Sequence, residues 1–294
     1  MGNRITKALF FACAVSFLFP LRGFPQADVE AARKILSENK DSVIQVRLVT
    51  KWKVIYMGRE MVNREQENEV TGVVLHPSGL TVVSRLAGNP MEMLSLFGMP
   101  GVSDSDETKF ETSFGDIKLI LPDGKELPAK VALQDQDLDL LFLRPEKTDI
   151  SFQPLSVKKA PEPGLLDEVV TIGRLGNLLN RQLYVDLDRI ASVIKKPRPY
   201  YVTNRSGMGV GNPVFNLSGA TLGIQMFRRP AKGQVSGMQS LLSTGGFLTV
   251  VVPMEDIMAT AAQALEAKEE APAETGAETK ETAPKEGEAK EPQK

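Results

Sequence analysis

The sequence predicts an all-β protein with a short helix at each end, and three observations carry that prediction. Short runs rich in Val, Ile, Leu and Thr recur at close spacing over residues 43–252. Turn signals separate them, as at Pro77-Ser78-Gly79. The long helical patterns that a βαβ fold places between its strands are missing from the same stretch, which favours an antiparallel barrel or sandwich.

The first element is a leader rather than part of the fold. Arg4 and Lys7 form a positive start, and residues 8–20 form an apolar stretch shorter than a membrane span. Gly23 and Ala27 are both small residues at which cleavage fits, so residues 1–27 read as a signal peptide and the protein as periplasmic or secreted. The alternative is an uncleaved N-terminal anchor. Cys13, the only cysteine, lies inside this stretch, within a poor lipidation motif.

Residues 28–39 follow as a helix with Asp28 as N-cap and Val29, Ala32, Ile35 and Leu36 on one face. It is expected to pack on the first barrel. Strand-like runs come next at 43–50, 53–57, 70–75, 80–83, 117–121, 130–133 and 140–143. A closing helix begins at Met254, with Ile257, Met258, Ala261 and Leu265 on one face. Residues 267–294 are built almost entirely from Glu, Lys, Ala, Pro, Thr and Gly. They cannot bury enough apolar surface to offset the entropy of ordering and are expected to be disordered.

Composition limits the chemistry. Of 294 residues, 35 are Lys or Arg and 37 are Asp or Glu, interspersed, which predicts no nucleic-acid partner. A single histidine, with no cysteine outside the leader, excludes Cys-based metal sites and disulfides, and no metal or other cofactor is expected. Without the head and tail, about 220 residues remain, within the range of one compact β unit.

Three segments resemble, in order, the His, Asp and Ser regions of the trypsin-like peptidases of the HtrA/DegP type. Residues 71–87 (TGVVLHPSGLTVVSRLA) are similar to the His region, and Leu86 stands at the position of the base. Asp135 and the run Asp139-Leu140-Leu141-Phe142-Leu143 are similar to the Asp region, with Asp139 matching the orienting carboxylate. Residues 207–219 (GMGVGNPVFNLSG) are similar to the nucleophile region, with Val210 at the serine position and Met208, Gly209 and Val210 in the oxyanion loop. The resemblance covers about residues 42–266 and implies a double antiparallel β-barrel, in which residues 168–172, 187–194, 200–204 and 245–252 resemble strands of the second barrel. Residues 28–266 would form this domain, barrel one over about 42–150 and barrel two over about 163–252.

The departures from the family pattern decide the expected activity. In a triad the imidazole takes and returns the proton while the carboxylate only fixes its tautomer, so a lone Asp139 orients nothing. Loss of the nucleophile or base costs on the order of a millionfold in turnover. Met208 at a glycine position also disfavours the oxyanion loop's positive-φ backbone. His76 sits in the turn Pro77-Ser78-Gly79, ten residues before the base position, and reads as an exposed turn residue. Ser84 and Ser206 are nearby hydroxyls without an evident base, and Lys195 and Lys196 precede Pro197 in a loop.

The resemblance therefore implies a pseudopeptidase that binds a protein or peptide, or serves as a scaffold. The alternative is an active serine-type endopeptidase using an unrecognised site. The loop after Leu86 carries Met91, Met93, Leu96, Phe97 and Met99, a flexible thioether-rich set suited to docking a partner such as an active envelope peptidase or another copy of the chain. The same loop folded back and buried over the barrel is the other reading. The resembled proteins carry PDZ domains after this point; the tail stands in their place, so peptide sensing and cage assembly are not expected.

Overall fold

A computed structural model describes residues 26–90, 92, 108–147, 149–205, 209–228 and 249–267. Among these residues, twelve strands form two closed six-stranded antiparallel barrels, flanked by two α-helices. Barrel one contains β1 (Val43–Tyr56), β2 (Arg59–Val74), β3 (Thr81–Ser84), β4 (Thr108–Ile120), β5 (Glu126–Asp135) and β6 (Leu140–Pro145), ordered β1-β2-β3-β6-β5-β4 around the ring. Barrel two contains β7 (Glu168–Arg174), β8 (Leu183–Ile194), β9 (Tyr200–Thr203), β10 (Pro213–Asn216), β11 (Thr221–Phe227) and β12 (Thr249–Pro253), ordered β10-β11-β12-β9-β8-β7. This is the trypsin-like double barrel.

Strand alternation explains how β6 fastens the two halves. Side chains on a strand point to opposite faces in turn. Leu141 and Leu143 enter the interior of barrel one with Ile44, Val46 and Leu119, while Leu140 and Phe142 face a second cluster with Ile172, Phe215 and Ile257. Both faces of β6 are buried over residues 140–143, and that stretch is apolar throughout. Truncating Phe142, which is fully buried, would cost about 3–5 kcal/mol.

Four sequence expectations change. The runs at 43–50 and 53–57 are one strand, β1, and its partner β2 starts at Arg59 rather than near residue 70. The polar residues of this arm pair across the strands, with Lys51–Glu65 at 2.8 Å and Lys53–Glu60 at 3.6 Å. Met57 and Gly58, at φ 48° and 75°, close the hairpin with the positive-φ pair that a two-residue type I′ turn requires.

The N-terminal helix α1 (Gln26–Asn39) starts two residues earlier than expected, which puts Asp28 in its first turn rather than at the cap. Its main strand contacts are with β7 and β8 of barrel two, and its Ala32 also joins a cluster with Val43 and Val73 of barrel one. Its Ile35 joins the shared cluster and lies beside Gly219.

The C-terminal helix α2 (Met254–Glu266) packs across β5 and β6 of barrel one and β11 and β12 of barrel two. Met254, Ile257, Ala261 and Ala264 are buried, whereas Leu265 is exposed. The buried stripe follows the helical period from Met254 and reaches Ala264, leaving Leu265 turned outward. Arg144 on β6 donates to the carbonyls of Ala264 (2.6 Å) and Leu265 (3.3 Å), answering two unpaired groups of the helix end.

Candidate functional site

Asp139 sits at the start of β6 in the left-handed region, at φ 60°, a conformation that Asp adopts more readily than most side chains. Its backbone carbonyl accepts from Arg85 N–H at 3.0 Å. One carboxylate oxygen accepts from Leu86 N–H at 2.8 Å, and the other from Phe227 N–H at 3.0 Å and from the Ser84 hydroxyl. The carboxylate thus ties the turn after β3 to the end of β11, joining the two barrels.

Burial pushes the Asp139 carboxyl up from 3.8 to about 6. The bonds from Ser84, Leu86 and Phe227 and the charge of Arg85 work in the opposite direction and do not cancel it. Arg85 is itself buried and pairs in a bidentate fashion with Glu92. Asn89 holds Glu92 further, accepting from its N–H at 3.2 Å and donating to its carboxylate at 3.1 Å.

Leu86 is buried and its N–H is the group bonded to Asp139. Its neighbour Ala87 and, from the other barrel, Gly209 and Val210 line a cavity of about 730 Å³ between the barrels. The loop that carries Val210 needs its glycines. Gly209 and Gly211 adopt φ 114° and 88°, and a Cβ on Gly211 would stand 2.5 Å from the carbonyl oxygen of Thr71 on β2. That close approach seats the loop of barrel two directly on barrel one.

The rest of the cavity wall comes from residues scattered through both barrels. Gln45 on β1 donates to the carbonyls of Arg174 and Leu175, both at 3.1 Å. Arg174 returns the link through its guanidinium, to Val43 O at 2.5 Å, and also reaches Arg181 O at 3.1 Å and Lys40 O at 3.2 Å. Its burial lowers its pKa, partly offset by the charge of Asp41. Behind the Val210 loop, Asn212 donates to the Tyr184 hydroxyl at 2.6 Å, and Gln225 donates to Thr203 Oγ1 at 3.3 Å. Burial raises the Tyr184 pKa, and the charge of Asp186 adds to the rise while the Asn212 bond opposes it.

Among the sequence-predicted site residues, Leu86 and Asp139 are hydrogen-bonded to each other, and Gly209 and Val210 lie on the wall of the adjoining cavity. Met91, Met93, Leu96, Phe97, Met99 and Met208 fall outside the described residues, as does Ser206. His76 is exposed, its Nδ1 2.8 Å from Ser78 Oγ within the same turn. Ser84 is 1% exposed and its hydroxyl is committed to Asp139, so no substrate reaches it in this arrangement. Lys195 and Lys196 are exposed, and Lys195 lies 3.8 Å from Glu162.

Sequence reasoning missed Gln45, Tyr184, Asn212 and Gln225. A signal for two of them exists: each glutamine interrupts an apolar run, Ile44-Gln45-Val46 and Ile224-Gln225-Met226. A lone amide in a strand with both faces buried must meet a polar partner inside.

The sequence matches no protein-family model and no curated protein.

Proposed function

We propose that this protein is an exported pseudopeptidase of the HtrA type, which holds a protein or peptide segment between its barrels without cutting it. The observation that carries the reading is the use made of Asp139. A carboxylate at this place would orient a histidine in an active peptidase, but here it accepts from the backbone of Leu86 and Phe227 and from Ser84. Leu86 supplies no base and Val210 no hydroxyl, so the proton transfers of acyl transfer have no carrier.

Binding then becomes the surviving property of the cleft. Val210 puts an apolar side chain on the cavity wall where an active peptidase would carry a hydroxyl, and the cavity is large enough for several side chains of an extended chain. The partner is a protein or peptide, bound either in this cleft or, as a scaffold, through the Met-rich loop. An active endopeptidase working from an unrecognised site is the competing reading, and it requires a serine activated by a base.

Fluorescence anisotropy with a labelled unfolded protein tests the cleft. Saturable binding that Val210→Arg abolishes, with the substrate recovered intact, is the expected outcome. Unchanged binding in Val210→Arg would move the function away from the cleft, and labelling by a serine-reactive phosphonate would return the protein to the enzymes.

A further inference from the structure

The charges on the cavity wall are answered from within the protein. Glu69 is bonded by Arg181 at 2.5 Å, and Asp186 is paired with Arg205. Asp188 accepts from the backbone N–H groups of Arg189 and Arg205 at 2.7 and 2.9 Å. Arg174 spends its guanidinium on three backbone carbonyls.

The groups left unspent are neutral. Gln45 and Gln225, 2% and 4% exposed, each line the cavity with the carboxamide nitrogen bonded and the carboxamide oxygen without a partner. The Tyr184 hydroxyl accepts from Asn212 and keeps its own proton to donate. A buried acceptor left unpaired is costly, and in a folded protein such a group calls for a ligand, an ordered water or a functional role. Two of them on one wall, beside a free hydroxyl proton and with no unanswered charge, specify a ligand with N–H donors, a carbonyl acceptor and no net charge.

We infer that the cavity recognises a neutral amide, a carboxamide side chain or a main-chain amide of the segment held between the barrels. Its N–H groups donate to the Gln45 and Gln225 oxygens, which are closed off from the cavity until those side chains turn toward the ligand, and its carbonyl accepts the Tyr184 proton. The inference rests on the proposed peptide-holding function and adds to it a preference for uncharged, amide-bearing residues such as Asn and Gln over Asp, Glu, Lys or Leu at the position that enters the cavity.

Three probes of similar size separate the chemistries: propionamide, propionate and propylammonium. Each is titrated into the purified protein while the side-chain amide NMR signals of Gln45 and Gln225 are followed. The expected result is saturable movement of both signals with propionamide, at an apparent affinity roughly tenfold or more above the two ions, as one or two hydrogen bonds would give. Gln225→Met removes one acceptor at nearly constant volume, and Tyr184→Phe removes the hydroxyl proton offered to the ligand's carbonyl while keeping the ring. Each should weaken propionamide binding severalfold, and the second variant carries the test if the first does not fold.

Equal responses to the three probes, or no response, would mean that the cavity holds solvent only and would overturn the inference. Propionamide binding unchanged in both variants would overturn it as well. Capture of unfolded protein is measured beside these titrations. Capture without amide selectivity overturns the amide site alone, whereas loss of both overturns the peptide-holding reading too.

Discussion

Replacing Asp139 with Asn isolates the consequence of burying its charge. The side chain keeps its size and Asn accepts the left-handed backbone at φ 60°. One of the two carboxylate oxygens becomes an NH2 group, so a backbone N–H of Leu86 or Phe227 loses its acceptor, a loss of about 1–3 kcal/mol. Against it stands relief from a charge that burial has made unfavourable: the rise from 3.8 to about 6 corresponds to about 3 kcal/mol at neutral pH. At pH 7.5 the two effects nearly offset each other.

The pH dependence separates them. A carboxyl whose folded pKa is raised contributes most stability below its unfolded value of 3.8, and that contribution is lost as pH rises to about 6. Between pH 7.5 and pH 5 the native protein should therefore gain about 1.4 kcal/mol from this group relative to Asp139→Asn. Protonation is accommodated because the Ser84 hydroxyl can turn from donor to acceptor. Urea unfolding of both proteins at the two pH values measures the difference. A gap that does not change with pH, or that widens in favour of the variant on acidification, would refute the buried-charge reasoning.

The remaining predictions concern the same junction. Ser84→Ala removes the strongest of the interactions that hold the Asp139 pKa down, so its carboxyl should titrate higher still, as read from its ¹³C chemical shift. Gly211→Ala forces a Cβ to 2.5 Å from the Thr71 carbonyl at a φ of 88°, and thermal unfolding should show a loss of roughly 2–5 kcal/mol. Arg174→Met leaves the carbonyls of Val43, Lys40 and Arg181 without this donor; a loss of about 2–4 kcal/mol and faster proteolytic cleavage between the barrels are expected.

The barrel strands were legible where branched apolar residues met turn signals, as in β3, β6 and β7. The arm of β1 and β2 was not, because residues 59–69 are mostly charged or amide-bearing and pair with β1 across a tight hairpin, partly through ion pairs. Spacing along the chain singled out Leu86, Asp139 and Val210, and the structure bonds Leu86 N–H to Asp139 and puts Val210 on the wall of the cavity. The inter-barrel wall could not. Gln45, Tyr184 and Gln225 lie on three strands far apart in sequence, and only closure of both barrels brings them to one cavity. The positive φ of Asp139 and its bond to Phe227 were hidden for the same reason.

Incubation of the purified protein with an unfolded protein, followed by mass spectrometry of the mixture, tests the central claim most directly. The account predicts a substrate that is bound yet intact, with no fragment above the background of a blank. Fragments that appear with the native protein and vanish with Asp139→Ala would contradict it, and would require a nucleophile and a base that work through Asp139.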